Sequence, residues 1–198
     1  MDKYKLFLSA SIPTQGREYY GSTNDAAITG AVMAFTRVCA EYSIPFYFGG
    51  HPAVTPLVWS VAKDYNKYFE NLLSIYQSRK WEGFQPQQVS YFKKIIWTNA
   101  GHERENSLEI MRTRMFTENK TAVAVFIGGM QGVIDEYHLL KKISPNTKII
   151  AFKSTGGASA DVYEEEGIEI GELQNSFAYY QIFKKLLKDY QFEYGREA

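Results

Sequence analysis

The chain carries a single cysteine in 198 residues, and one thiol closes no disulfide within a chain. Cys39 lies in Val38-Cys39-Ala40 on a predicted amphipathic helix, where it reads as a small packing group and not as a nucleophile. Net charge is lacking too, because Lys plus Arg and Asp plus Glu both number 22. A protein built to hold duplex nucleic acid carries a basic excess, so nucleic acid is disfavoured as the main partner. No apolar run reaches the length of a membrane span, and a strand pattern starts almost at Met1, which leaves no room for a signal peptide. A cytoplasmic protein with no membrane partner is the expectation. Histidine is scarce as well, and His51, His102 and His138 show no spacing that puts two ligands on one helical face. Neither a metal nor a cofactor is expected. The run Glu164-Glu165-Glu166 reads as a solvated helix face.

What the chain does have is apolar content, 45% of its residues, enough for one α/β domain spanning 1–198 with a full core. Tyr4 to Ala10 reads as a strand, and Asn24-Asp25 can cap a helix whose Ile28, Val32, Phe35, Cys39 and Tyr42 share one face. Pro45 to Phe48 is a second short strand, ending in Gly49-Gly50-His51-Pro52. Thr55-Pro56 then opens a stretch expected to be mostly helical from Val54 to Lys80, with a possible break between Tyr65 and Tyr68. Ile95-Ile96-Trp97 is a strand candidate, and Arg104 to Glu118 a helix with Leu108, Met111 and Met115 on one side. Ala122 to Ile127, Gly132 to Ile143, Lys148 to Phe152 and roughly Asn175 to Tyr190 complete the alternation, the last helix expected to bury Phe177, Tyr180, Phe183, Leu187 and Tyr190. This alternation predicts a Rossmann-like, three-layer fold with a mostly parallel sheet of about five or more strands and helices on both faces.

In such a sheet ligands bind beyond the carboxyl ends of the strands, where the strand order reverses. The glycine-marked strand ends, at Gly49-Gly50, Gly128-Gly129 and Gly156-Gly157, all fall on that edge. Phe126-Ile127-Gly128-Gly129-Met130-Gln131-Gly132-Val133-Ile134-Asp135-Glu136 is the richest of them: an apolar run stops at glycines and a helix pattern begins at once. Glycines let the backbone approach a ligand, and the first amides of a helix lack intrahelical partners. The same residues also suit a bare βα turn. Gly132 is expected at the closest approach of backbone and anion. His51 suits either a ligand contact or a turn-stabilising role.

These turns resemble a known family, the SLOG superfamily, which groups LOG-type nucleotide phosphoribohydrolases, DprA-type proteins and nucleotide-sensing domains of bacterial anti-phage systems. The resemblance rests on Phe7-Leu8-Ser9-Ala10-Ser11, on Phe48-Gly49-Gly50-His51-Pro52-Ala53-Val54-Thr55-Pro56, and on the segment from Phe126 to Glu136. LOG enzymes carry Pro-Gly-Gly-x-Gly-Thr-x-x-Glu in the last place. Aligned on Gly132 and Glu136, this chain has Gly128 for the proline, Gly129 and Met130 for the two glycines, and Val133 for the threonine. For an enzyme, the resemblance implies catalysis by Glu136 with Arg112 or Arg114, as a nucleoside 5′-monophosphate N-glycosidase. For a binding domain, it implies contacts to a nucleotide-derived ligand from Ser9, Ala10, Ser11, Arg17, Gly49, Gly50, His51, Thr55, Gly128, Gly129, Met130, Gln131, Gly132, Val133, Glu136, Thr155 and Gly156. NAD-derived signals such as cyclic ADP-ribose isomers, a homo-oligomer (dimer or tetramer) and an effector protein are the implied partners. Tyr19, Tyr20 or Phe48 are candidates to stack on a base. The loss of the threonine hydroxyl at Val133 tips the expectation toward binding without turnover.

Overall fold

The computed structural model describes residues 4–65 and 67–194, so Met1–Lys3 and Asn66, within the expected Tyr65–Tyr68 break, lie outside the described residues. Lys5–Ser11 (β1) buries Leu6, Phe7 and Leu8 in succession. Burial on both faces marks a strand covered by helices above and below. Asp25–Glu41 (α1) starts where the Asn24 side chain accepts the Ala27 amide at 3.0 Å. Ile28, Val32, Phe35 and Cys39 are fully buried along one stripe, and Tyr42 is half-buried. Phe46–Gly49 (β2) follows, then Thr55–Ala62 (α2) with proline in its first turn.

The long helix expected from Val54 to Lys80 is corrected here. Lys67–Leu72 (α3) is short, and Leu73–Ser78 (β3) is a strand with every residue buried. A short continuous apolar run has no periodicity that separates strand from helix, and pairing with β2 decides the matter. Ile95–Thr98 (β4), Arg104–Thr117 (α4), Thr121–Gly128 (β5), Gln131–Ile143 (α5) and Lys148–Phe152 (β6) fall close to expectation. Ala158–Glu165 (α6) and Gly171–Asn175 (α7) lead to Tyr179–Tyr194 (α8). That last helix begins at Tyr179, so Phe177 is 61% exposed, and Tyr179 and Ile182 join Phe183 and Leu187 in the core. Among the described residues no helix is long and apolar enough to cross a membrane.

The sheet has six strands in the order β4-β3-β2-β1-β5-β6, and every neighbouring pair is parallel. Helix α1 packs against α2 and α8, while α5 packs against α4 and α6. Right-handed crossovers place these two groups on opposite faces, making three layers. From β1 the chain works outward to β4, then returns through α4 to lay β5 on the other side of β1. The strand order therefore reverses between β1 and β5, whose register runs out at Ser11 opposite Gly128. In sheets of this kind that is the point at which a ligand crevice forms between diverging connections.

Candidate functional site

Strand β5 leaves the sheet through Gly128 and Gly129, at φ +59° and +95°. A Cβ on Gly128 would lie 2.3 Å from Ile28 Cδ1, and one on Gly129 2.3 Å from Val133 Cγ2. Both glycines are thus required by the turn and by the close packing of α1 and α5. Ser11 is buried beside them, its Oγ 3.4 Å from where a Gly129 Cβ would stand. Met130 at the N-cap of α5 supplies no side-chain hydrogen bond, so the positive end of that helix faces the crevice uncapped.

Glu136, one turn into α5, is the centre of the arrangement. Ser9 Oγ donates to its Oε2 at 2.5 Å, and Arg112 Nε donates to its Oε1 at 3.5 Å. The rest of the Arg112 guanidinium is committed as well: Nη1 donates to Asp135 Oδ2 and Nη2 to the Gly132 carbonyl, both at 3.1 Å. The Arg112 and Glu136 side chains are only 12% and 14% exposed. Burial pushes the Glu136 carboxyl above the usual carboxylate range, while Arg112 and the Ser9 hydroxyl pull it back. Gly49 at the end of β2 lies beside this carboxylate, where a Cβ would meet Met111 Cε at 3.3 Å and stand 3.9 Å from Glu136 Oε1.

Two expectations change at this point. A Cβ on Gly132 would meet Arg112 Nη2 at 2.7 Å, so the space this glycine leaves is filled by a guanidinium and not kept for an anion. Arg114 does not join the site. Its Nε pairs with Glu118 at 2.6 Å and its Nη1 caps the Trp97 carbonyl at 2.8 Å, which leaves Arg112 as the arginine that faces Glu136.

The second turn, between β2 and α2, is tightly drawn. The Gly50 amide donates to the Tyr76 carbonyl, and Gln77 Nε2 donates to the Gly50 carbonyl at 3.1 Å. A Cβ on Gly50 would fall 1.7 Å from that Nε2. The His51 carbonyl accepts the amides of Val54 and Thr55, and His51 Nδ1 accepts the Ala53 amide at 3.2 Å. Burial lowers the His51 pKa to about 4, with the charge of nearby Arg17 adding to the effect. The imidazole is therefore neutral at pH 7. Arg17 stands exposed on the loop after β1, and the fully buried Thr55 hydroxyl has no hydrogen-bond partner.

The third turn serves the scaffold. Thr155 Oγ1 donates to the Phe152 carbonyl at 2.7 Å and accepts the Gly128 amide at 2.8 Å, and Ser159 Oγ takes the same amide at 2.9 Å. Gly156 lies so close to the Ser22 carbonyl that a Cβ would fall 1.9 Å from it, and it bridges Thr23. Thr155 and Gly156 therefore brace the β5 turn and the loop before α1, with the Thr155 hydroxyl spent in doing so. Of the stacking candidates, Phe48 is buried against Phe46 and Phe92, the Tyr19 hydroxyl is held by Asp161, and Tyr20 is half exposed. Gln77 and Ser159 went unnoticed in the sequence; only the spacing of Ser159 four residues after Thr155 hinted at a shared acceptor. Glu164, Glu165 and Glu166 pair with Lys153, His138 and Lys141 across the outer face of α6. A groove of about 540 Å³ between α1, α2 and α8, lined by Met33, Arg37, Tyr65 and Tyr180, shares no residue with the glycine turns.

An all-parallel, doubly wound sheet with glycine turns and a buried carboxylate at its switch point defines a Rossmann-like domain. The model of the SLOG cluster3 family matches residues 18–187, and the chain belongs to that family. Its fold is similar to the X-ray structure of TM1055, a target of the Northeast Structural Genomics Consortium, with a TM-score of 0.60 over 92% of this chain and 99% of that one. At 12% identity this likeness concerns the fold alone. No curated protein is significantly similar in sequence.

Proposed function

We propose that this domain binds a nucleotide-derived ligand, NAD- or ADP-ribose-derived or cyclic, as a cytoplasmic sensor or sequestering protein in bacterial defence, without turning it over. The observation that carries the reading is the state of Arg112. Each of its three nitrogens already has a protein acceptor in Glu136, Asp135 or the Gly132 carbonyl, which draws the guanidinium toward the protein and away from a substrate phosphate. Val133 adds none, being buried and apolar where a LOG enzyme has a hydroxyl. What remains suits holding a ribose: a carboxylate acceptor on Glu136 beside Ser9 and Gly49, at the mouth of the crevice. A homo-oligomer and an effector partner belong to the same proposal and rest on the family resemblance.

Thermal shift with ADP-ribose, cyclic ADP-ribose isomers, NAD, AMP and cyclic dinucleotides tests it. A ligand at a hundred times its dissociation constant adds about 2.7 kcal/mol of stability, and no shift with any of them would sink the reading. N-glycosidase chemistry is the second reading, favoured by one observation, the raised proton affinity of the buried Glu136 beside Arg112 and Ser9. Chromatography of nucleoside monophosphates incubated with the protein separates the two. Free base that vanishes in Glu136→Gln would make it an enzyme; intact nucleotide under conditions of demonstrated binding is the outcome expected.

A further inference from the structure

We infer that the ligand's phosphate is held by the β2–α2 turn and not by the β5–α5 turn: His51 Nε2–H, the Arg17 guanidinium and the Thr55 hydroxyl form a pocket for a phosphoryl or diphosphoryl group. This deepens the nucleotide reading above and rests on it for the rest of the ligand. His51 and Thr55 share one short turn, joined by the bond from the Thr55 amide to the His51 carbonyl, and Arg17 acts on the imidazole from the loop after β1. The Ala53 amide occupies His51 Nδ1 as an acceptor, which fixes the ring proton on Nε2 and makes that nitrogen a donor. No partner for that donor occurs among the described residues. Arg17 is near enough for its charge to act on the imidazole, yet its guanidinium makes no ion pair or hydrogen bond among the described residues. Thr55 is 0% exposed and its Oγ1 is unpartnered, at the first residue of α2.

The setting suits an anion. Helix α2 has no acidic residue in its first turn and no side-chain cap, so neither offsets the positive end of its dipole. The β5–α5 turn has an equally uncapped helix, but there Val133 is apolar and the space over Gly132 is filled by Arg112. A neutral N–H donor beside a guanidinium recognises phosphoryl oxygens without adding a second desolvated cation. The ligand then lies with its ribose toward Glu136 and its phosphate toward β2.

Inorganic pyrophosphate is the probe. In spectra of the nitrogen-15-labelled protein, the His51 ring is expected as the Nε2–H tautomer from pH 8 down to pH 5 (from its pKa of about 4), with Nε2 shifting on addition of pyrophosphate. Pyrophosphate affinity should fall about tenfold or more in His51→Ala and in Arg17→Gln, and hold in His51→Gln, whose amide N–H can stand in for Nε2. Thr55→Val should weaken pyrophosphate while raising the Tm of the free protein, because it removes a buried unpaired hydroxyl. No pyrophosphate binding, binding unchanged in both His51→Ala and Arg17→Gln, or shifts confined to the amides of 129–133 would overturn the pocket. A nucleotide that binds wild type and both variants alike overturns the pocket and leaves the nucleotide reading standing. Pyrophosphate bound here while no nucleotide in the panel binds does the reverse.

Discussion

Burial raises the proton affinity of Glu136 in the folded chain above its ordinary 4.5, so whatever stability its protonated form contributes is present below that value and lost as pH rises through the folded one. Glu136→Gln keeps an acceptor for Ser9 and removes the buried charge. Its Tm relative to wild type should therefore climb between pH 4 and pH 7; a difference that shrinks instead would mean that the Arg112 and Ser9 bonds outweigh desolvation. His51 runs the other way. Its folded value of about 4 lies below its ordinary 6.5, so its contribution is complete above pH 6.5 and is lost as pH falls toward 4, at roughly 1.4 kcal/mol for each unit of displacement. His51→Gln should lose less Tm than wild type over that window. Thr155→Val should cost about 1 kcal/mol in denaturant unfolding, because Ser159 still accepts the Gly128 amide. Adding Ser159→Ala should cost more than the two single changes summed, since only the pair strips that buried amide of every acceptor.

At the scale of elements, Arg112 and Arg114 show where sequence reasoning runs out. Two residues apart on α4, they point to different sides of the helix, and no pattern in the chain says which side meets α5. Packing assigns Arg112 to Glu136 and Arg114 to the sheet edge. In the β3–β4 ladder the Ile75 amide donates to the Lys94 carbonyl, so the Trp97 carbonyl points away from β3, and Arg114 caps it. An unpaired edge is a template for association, and this contact blunts it. Arg114→Ala should raise light scattering on concentration or heating and leave affinity for the proposed ligand unchanged; an affinity loss without aggregation would return Arg114 to the site. The amphipathic stripe of α1 and its Asn24 cap were legible, because period and capping are local. Strand β3 was not, because its identity depends on neighbours far away in the chain.

The architecture of the whole molecule followed from the alternation of apolar strands with helical periods, and so did the edge on which the glycines collect. The division of labour among the turns did not, since nothing in Ser154-Thr155-Gly156-Gly157 announces that its hydroxyl would be spent bracing Gly128. Nor could zero net charge reveal which cations are left unpaired. The pairing of β1 with β5 has a temporal consequence. Lys5 meets Thr121, more than a hundred residues later, and the crevice exists only once that ladder has closed. Ordering so long an intervening loop costs entropy before any contact repays it, and parallel sheets of this kind fold slowly. A chain still emerging from the ribosome has made β1 and both serines long before it has made their partner strand. Binding of the ligand proposed above should accordingly recover during refolding with the slowest phase, because the site it needs is complete only when synthesis has passed β5 and the central ladder has closed.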